Sequence, residues 1–190
     1  MTAIPGVTGV TGADNGLLTG EVNFATVAVQ GYDAKPGENL NPGVTGVGPA
    51  FFKTMGVPLL YGREFSAADT LGSPRVAIVN QSFASYFFKG QSPLGRRFGI
   101  GHESGAVEIV GVVEDSKQSS LREGKTRQFY LPWRQQERPG SLVFYIQTGF
   151  DAGNAFAQVR REVTRVALGA GAIPAQRASR VDPLTALRYE

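Results

Sequence analysis

Apolar and polar positions alternate irregularly along the chain, in short runs broken by turn residues, and this spacing predicts many short elements. Glu21–Tyr32 reads as a strand with both faces apolar. Val22, Phe24, Thr26 and Ala28 point one way, and Ala25, Val27 and Val29 the other. AKPGENLNPG (34–43) is a turn-rich connection, and Val44–Val47 is a short strand candidate. PAFFKTMG predicts a short helix near 49–55, opened by Pro49, stopped by Gly56 and anchored by Phe51, Phe52 and Met55. VPLLYGREF (57–65) is extended and interrupted at Gly62, with Ser66 or Asp69 positioned to cap a turn.

RVAIVN (75–80) is a strongly β-prone strand that runs into a two-turn helix near 81–88, carried by Phe83, Tyr86 and Phe87 and stopped at Gly90. SPLGRRFGIG follows as a turn and short strand. AVEIVGVVE (106–114) is the strongest strand signal, and strands are also predicted near 127–132 and 141–147. Phe156, Val159, Val163 and Val166 form one stripe of a helix over about 151–168. Residues 1–20, with the stutter GVTGVTG, read as a flexible lead, and 169–190 as a tail. Strands and short helices without a βαβ rhythm predict an α+β fold with a mixed sheet.

Composition narrows the functions. Of 190 residues 42% are hydrophobic, enough for a core, while 25 Gly and 11 Pro fit the turn-rich pattern. A net charge of +3 makes no nucleic-acid footprint. With no Cys, thiolate chemistry and disulfides are excluded, and the single His, His102, rules out a multi-His metal site. No metal or cofactor is expected. No run reaches the ~18 apolar residues of a membrane span; Val166–Ala175 is interrupted by Gly169, Gly171 and Pro174. MTAIPGVTGV has no basic region before an apolar stretch, so no signal peptide is expected and the chain as written reads as soluble.

Four features bear on chemistry. GRRFGIGHESG (95–105), with Arg96 and Arg97, matches no phosphate-loop pattern and reads as a turn between strands. His102 lies in that loop with no marked nucleophile, so a hydrolase reading has little support. Glu114 and Asp115 end a strand and, alternating in direction, read as a solvated end. Trp133 is read as a lid on the core edge, with an exposed recognition aromatic as the alternative.

Several segments together resemble one family. PAFFKTMGVPLLYGREFSAADT (49–70), RVAIVNQSFASYFFKGQSPLGRRF (75–98), VEIVGVVEDSK (107–117) and FYLPWRQQ (129–136) are similar, in this order, to blocks of the periplasmic core domain of MacB/FtsX-type ABC-transporter permeases. IPAQRASRVDPLTALRYE (173–190) looks like the cytoplasmic C-terminal tail of such permeases, where basic residues accumulate. The matching positions are Phe52, Gly56, Pro58, Gly62, Arg63, Phe65, Asp69, Asn80, Pro93, Gly95, Gly111 and Pro132, read as structural. Gly56 and Gly62 suit positive φ, and Arg63 and Asp69 are expected to pair across a turn.

The resemblance implies a non-catalytic extracytoplasmic domain of an inner-membrane permease, in two small subdomains when complete. Such a domain couples ATP-driven motion to substrate or partner handling in the periplasm. Its implied partners are an ATP-binding subunit or domain and periplasmic proteins, with the membrane reached only through helices absent from this sequence. No P-loop is present, so ATP binding is expected elsewhere. The family's flanking membrane helices are not seen, so the chain looks like a truncated or internally deleted copy, or an engineered soluble form. Residues 21–168 are then a partial core domain, and strand 22–30 is expected to lack a neighbour. A homodimer through that strand satisfies the edge; a monomer whose lead folds back is the alternative. The competing functional class is a free-standing binder of a small ligand or peptide, which needs a formed pocket of roughly 300–1,000 Å³.

Overall fold

The structure, a computed structural model, describes residues 6–16, 22–101, 105–116, 126–137, 142–149 and 157–161. The chain divides into two compact units, Thr8–Gln147 and a second made of Met1–Val7 with Thr148–Glu190. In the second unit Gly149 N–H donates to the Gly6 carbonyl at 3.0 Å, and residues 157–161 are helical. The rest of the helix expected over 151–168, and the tail, lie outside the described residues.

The strands are β1 (Val7–Ala13), β2 (Asn23–Phe24), β3 (Val27–Val29), β4 (Gly43–Val47), β5 (Leu59–Gly62), β6 (Val76–Asn80), β7 (Arg97–Ile100), β8 (Val107–Val113), β9 (Gln128–Pro132) and β10 (Val143–Thr148). Helix α1 (Phe51–Met55) follows β4, and α2 (Gln81–Phe88) follows β6. The sheet order is β10-β1-β4-β9-β6-β8-β7-β3, with β2 on β4 and β5 on β8. Pairs β4/β9 and β6/β8 are parallel, and β6/β9, β7/β8, β3/β7, β5/β8 and β1/β4 are antiparallel. The fold is α+β around a mixed sheet, as the pattern predicts.

β6 is buried along its whole length, which its unbroken apolar run requires. Its side chains alternate between two cores. Ala77 and Val79 join Phe83, Phe87, Phe98 and Phe129 under α2. Ile78 points the other way, to Phe51, Phe52, Val113 and Tyr130 under α1. Asn80 ends the strand and caps α2 in one step. Its side-chain oxygen accepts from Phe83 N–H at 3.0 Å and Gln128 N–H at 2.9 Å, and its amide donates to the Thr126 carbonyl at 2.7 Å.

Two expectations are corrected. Residues 7–13 are not a loose lead: they form β1, between β10 and β4. The glycines are there for close approach, since a Cβ at Gly12 would lie 2.8 Å from the Trp133 ring and one at Gly9 3.0 Å from Thr54. The segment 21–32 is not one strand buried on both faces. It splits into β2 on β4 and β3 on β7; Phe24 and Ala28 are exposed, while Val27 and Val29 are buried in the α2 core. β3 ends the sheet order, and its outer edge is covered in part: Val27 N–H donates to the Leu40 carbonyl at 3.0 Å, and the Val29 carbonyl accepts from Tyr32 N–H at 3.1 Å. Loop 38–42 thus takes up part of the edge through which a second copy was expected to pair, with Ala25 N–H also donating to the Pro42 carbonyl.

Candidate interaction surface

Half of the twelve family-matching positions, Gly62, Arg63, Asp69, Pro93, Gly95 and Gly111, gather around an irregularity in β8. The pairing of β6 with β8 shifts register between Ala77 and Ile78, which leaves Val110 as an extra residue; β5 has its own shift between Leu59 and Tyr61. Gly62, at φ 79°, turns the chain so that Arg63 N–H donates to the Val110 carbonyl at 2.9 Å. The Arg63 carbonyl then lies so near Gly111 that a Cβ there would sit 2.5 Å from it. Gly95 N–H donates to the Ile109 carbonyl at 2.9 Å, in a turn closed by Arg96 N–H on the Pro93 carbonyl at 3.0 Å.

From this point Arg63 reaches across a turn to Asp69, Nη1 to Oδ2 at 2.8 Å and Nη2 to Oδ1 at 2.9 Å. Asp69 is 5% exposed and also accepts from Ser66 N–H at 2.6 Å. The guanidinium, first through its hydrogen bonds, holds the Asp69 carboxyl below the usual carboxylate range, and Asp69 raises Arg63 in return. The Arg63 side chain is about half exposed, so the pair itself is worth only ~0–1 kcal/mol. The loop beyond is fastened by further bonds. Leu71 N–H donates to the Arg134 carbonyl at 3.0 Å, Ser73 Oγ donates to the Thr70 carbonyl at 2.8 Å, and Gln135 Nε2 donates to Ser73 Oγ and the Pro74 carbonyl, each at 2.9 Å.

The remaining matching positions are structural too. Phe52 is buried edge-on to Tyr130, with ring centroids 4.9 Å apart, and Phe65 packs 6.4 Å from Phe52. Gly56 caps α1 at φ 68°, the Pro58 carbonyl accepts from Glu114 N–H at 3.0 Å, and Pro132 closes β9 opposite Val47. Asn80 and Pro132 lie apart from the β8 irregularity.

Of the four candidate features, His102 lies outside the described residues. Arg97 is paired to Glu108 at 3.1 Å rather than free for an anion. Asp115 is not a solvated strand end: its oxygens accept from Ser82 N–H and Ser82 Oγ, both at 2.8 Å, at the start of α2. Trp133 lies over Gly12 and Gly48, with Phe144 6.2 Å away, bridging three strands as a lid.

Sequence reasoning missed a second polar knot. The hydroxyls of Tyr32 and Tyr86 both donate to Glu38 Oε1, and Lys35 N–H donates to Oε2 at 2.8 Å. These bonds, Tyr32's first, pull the Glu38 carboxyl down to about 2. The Arg127 guanidinium lies 4.1 Å over the Tyr86 ring centroid. Nothing in a turn-rich stretch marks a glutamate whose partner is 48 residues away.

Two hollows accompany these surfaces, of about 350 Å³ beside Ala28, Gln30 and Arg97 and about 460 Å³ beside Ser82, Ser85 and Asp115. Both reach the size of a ligand site, but both are wide open to solvent, and a ligand site encloses most of its ligand. Among the described residues no cluster of acidic or histidine side chains could hold a metal, and no helix is long and apolar enough to cross a membrane.

The mixed sheet with its short helices is similar in fold to extracytoplasmic domains of ABC-type transporters. The extracellular domain of the noncanonic ABC-type transporter YknZ from Gram-positive bacteria superposes with a TM-score of 0.56 at 20% identity, covering 81% of this chain and 71% of that one. The periplasmic region of MacB from Actinobacillus actinomycetemcomitans superposes at 0.55 and 14% identity, covering 87% and 88%. The chain belongs to the MacB-like periplasmic core domain family, whose profile matches residues 2–166. It is thus a periplasmic domain of the MacB-like ABC-transporter permease kind. No curated protein matches it.

Proposed function

We propose that the domain is non-catalytic and couples ATP-driven motion of its permease to handling of a substrate or partner protein in the periplasm. In this reading the ATP-binding subunit is a separate chain or domain, and the permease sits in the inner membrane. The family match across 2–166 carries the reading. The surface chemistry supports it: the hollows are open, while Tyr61, Leu71 and Phe144 stand 57–64% exposed on ordered elements. Exposed apolar side chains on a rigid scaffold suit contact with a macromolecule better than enclosure of a small ligand.

The test replaces the domain in its intact permease with a short flexible linker and measures transport and ATP hydrolysis together. The reading expects transport to be lost while ATP is still hydrolysed. Unimpaired transport without the domain would overturn it.

A further inference from the structure

β3 is the last strand in the sheet order, and a bare outer edge there would offer its N–H groups to any strand that approached. The chain covers that edge with residues 33–42. This segment has no helix or strand of its own and carries Pro36, Gly37, Asn39, Asn41 and Pro42. Yet it runs antiparallel to 25–27 and makes two rungs of a ladder. Ala25 N–H donates to the Pro42 carbonyl at 3.2 Å, and Val27 N–H donates to the Leu40 carbonyl at 3.0 Å. Between them Thr26 Oγ1 donates to Asn41 Oδ1 at 2.7 Å. The ladder is one-sided at its far end, because Pro42 has no N–H to return.

A segment held by one-sided rungs needs a further tie, and Glu38 supplies it. One carboxylate joins three points of the chain. Its Oε1 accepts from the hydroxyls of Tyr32, just after β3, and Tyr86, on α2, and its Oε2 accepts from Lys35 N–H at 2.8 Å. Both rings are themselves packed: Tyr32 stands edge-on to Phe87 with centroids 5.1 Å apart, and the Arg127 guanidinium lies 4.1 Å over the Tyr86 centroid. Bonds to a carboxylate are charge-assisted, so each outweighs a neutral backbone rung.

We propose that 33–42 is a guard strap over the edge of the sheet and that Glu38 is the latch that keeps it shut. With the latch broken the strap lifts, and β3 pairs through its freed edge with β3 of a second copy. A second copy is the occupant because two identical terminal strands meet antiparallel about a two-fold axis, each supplying the acceptors the other lacks. Ala28, the exposed residue of β3, puts no charge in the way.

The test reads residue-resolved hydrogen exchange and light scattering on the full chain. Ala28→Lys places a charge on the edge and blocks pairing between copies without touching the strap. In that background Glu38→Ala should speed exchange of the Ala25 and Val27 amides roughly tenfold or more, while the Ile109 amide on β8, bonded to the Arg96 carbonyl, keeps its parental rate. With Ala28 restored, Glu38→Ala should dimerise at micromolar concentrations where the parent does not. Tyr86→Phe, which cuts the tie to α2 and leaves the Tyr32 and Lys35 bonds in place, should do both to a smaller extent. Parental exchange of Ala25 and Val27 in both variants would overturn the latch. So would loss of Ile109 protection together with theirs, since the strap would then open only with the whole sheet. A Glu38→Ala chain that opens but stays monomeric, or association that Ala28→Lys does not remove, would overturn the pairing.

Discussion

Helix α2 and the loop that faces it turn their polar groups onto each other. Glu38 takes both tyrosine hydroxyls, Asp115 takes Ser82, and Asn80 joins the start of the helix to β9. The 63–75 loop does the reverse. Its Asp69 carboxylate is turned inward onto Arg63, and Ser66, Ala67, Ala68 and Leu71 are left outside. Both regions are dense in hydrogen bonds, but one uses them to close a core and the other to hold a surface in place. Removing a bond should therefore cost global stability in the first and local order in the second.

The largest effects should fall on the shared core and its α2 seam. Phe52→Ala empties a fully buried site against Tyr130 and should cost about 3–5 kcal/mol in denaturant unfolding. Asn80→Ala removes a helix cap and orphans Gln128 N–H and the Thr126 carbonyl, so it should cost about 2–4 kcal/mol. Equal stability of Asn80→Ala and the parent would show that the seam is not structural.

In the display loop the expected cost is smaller. Asp69→Ala should lose about 1–2 kcal/mol globally, because the Arg63 end of the pair is solvated. It should also raise amide exchange across 66–75, which Asn80→Ala at matched stability should not do. A loss as large as that of Phe52→Ala would place the loop in the core.

The smallest effect is one of pH. Glu38 is held down to about 2, so the stabilisation it gives is fully present above its ordinary value near 4.5 and fades as pH falls from there toward 2. Its partner Tyr32 is pushed well above its ordinary value of 10.0, so that contribution holds below pH 10 and fades above it. Glu38→Gln should flatten the acid limb of a stability–pH curve, while Leu71→Asp should leave that limb between 4.5 and 2 close to its parental shape. An unchanged acid limb in Glu38→Gln would remove the latch from the account.

The same contrast explains what was legible in the sequence. β6, β8 and α2 could be read because apolar runs and a cap residue are local signals, and the Arg63–Asp69 pair because its partners lie within one turn. β1 could not: Gly9 and Gly12 look like linker residues until the Trp133 ring and Thr54, far along the chain, are brought against them. The split of 21–32 was hidden because alternation gives two faces without saying which one the sheet covers. The Glu38 latch was hidden because its two tyrosines lie on different elements. The small, exposed residues of the loop were in plain view as Ser-Ala-Ala and Leu-Gly, but only the structure shows that the Asp69 carboxylate between them is turned inward.

The central claim is that the 66–75 loop is a preformed surface rather than a slack connection. Native-state hydrogen exchange on the domain, read residue by residue, tests it most directly. The account predicts that the Asp69, Thr70, Leu71 and Ser73 amides, bonded to Ser66, Ala68, Ser73 Oγ, Arg134 and Thr70 acceptors, exchange far more slowly than an unstructured chain, and lose that protection in Asp69→Ala. Exchange of these four amides at unstructured rates in the parent would contradict it.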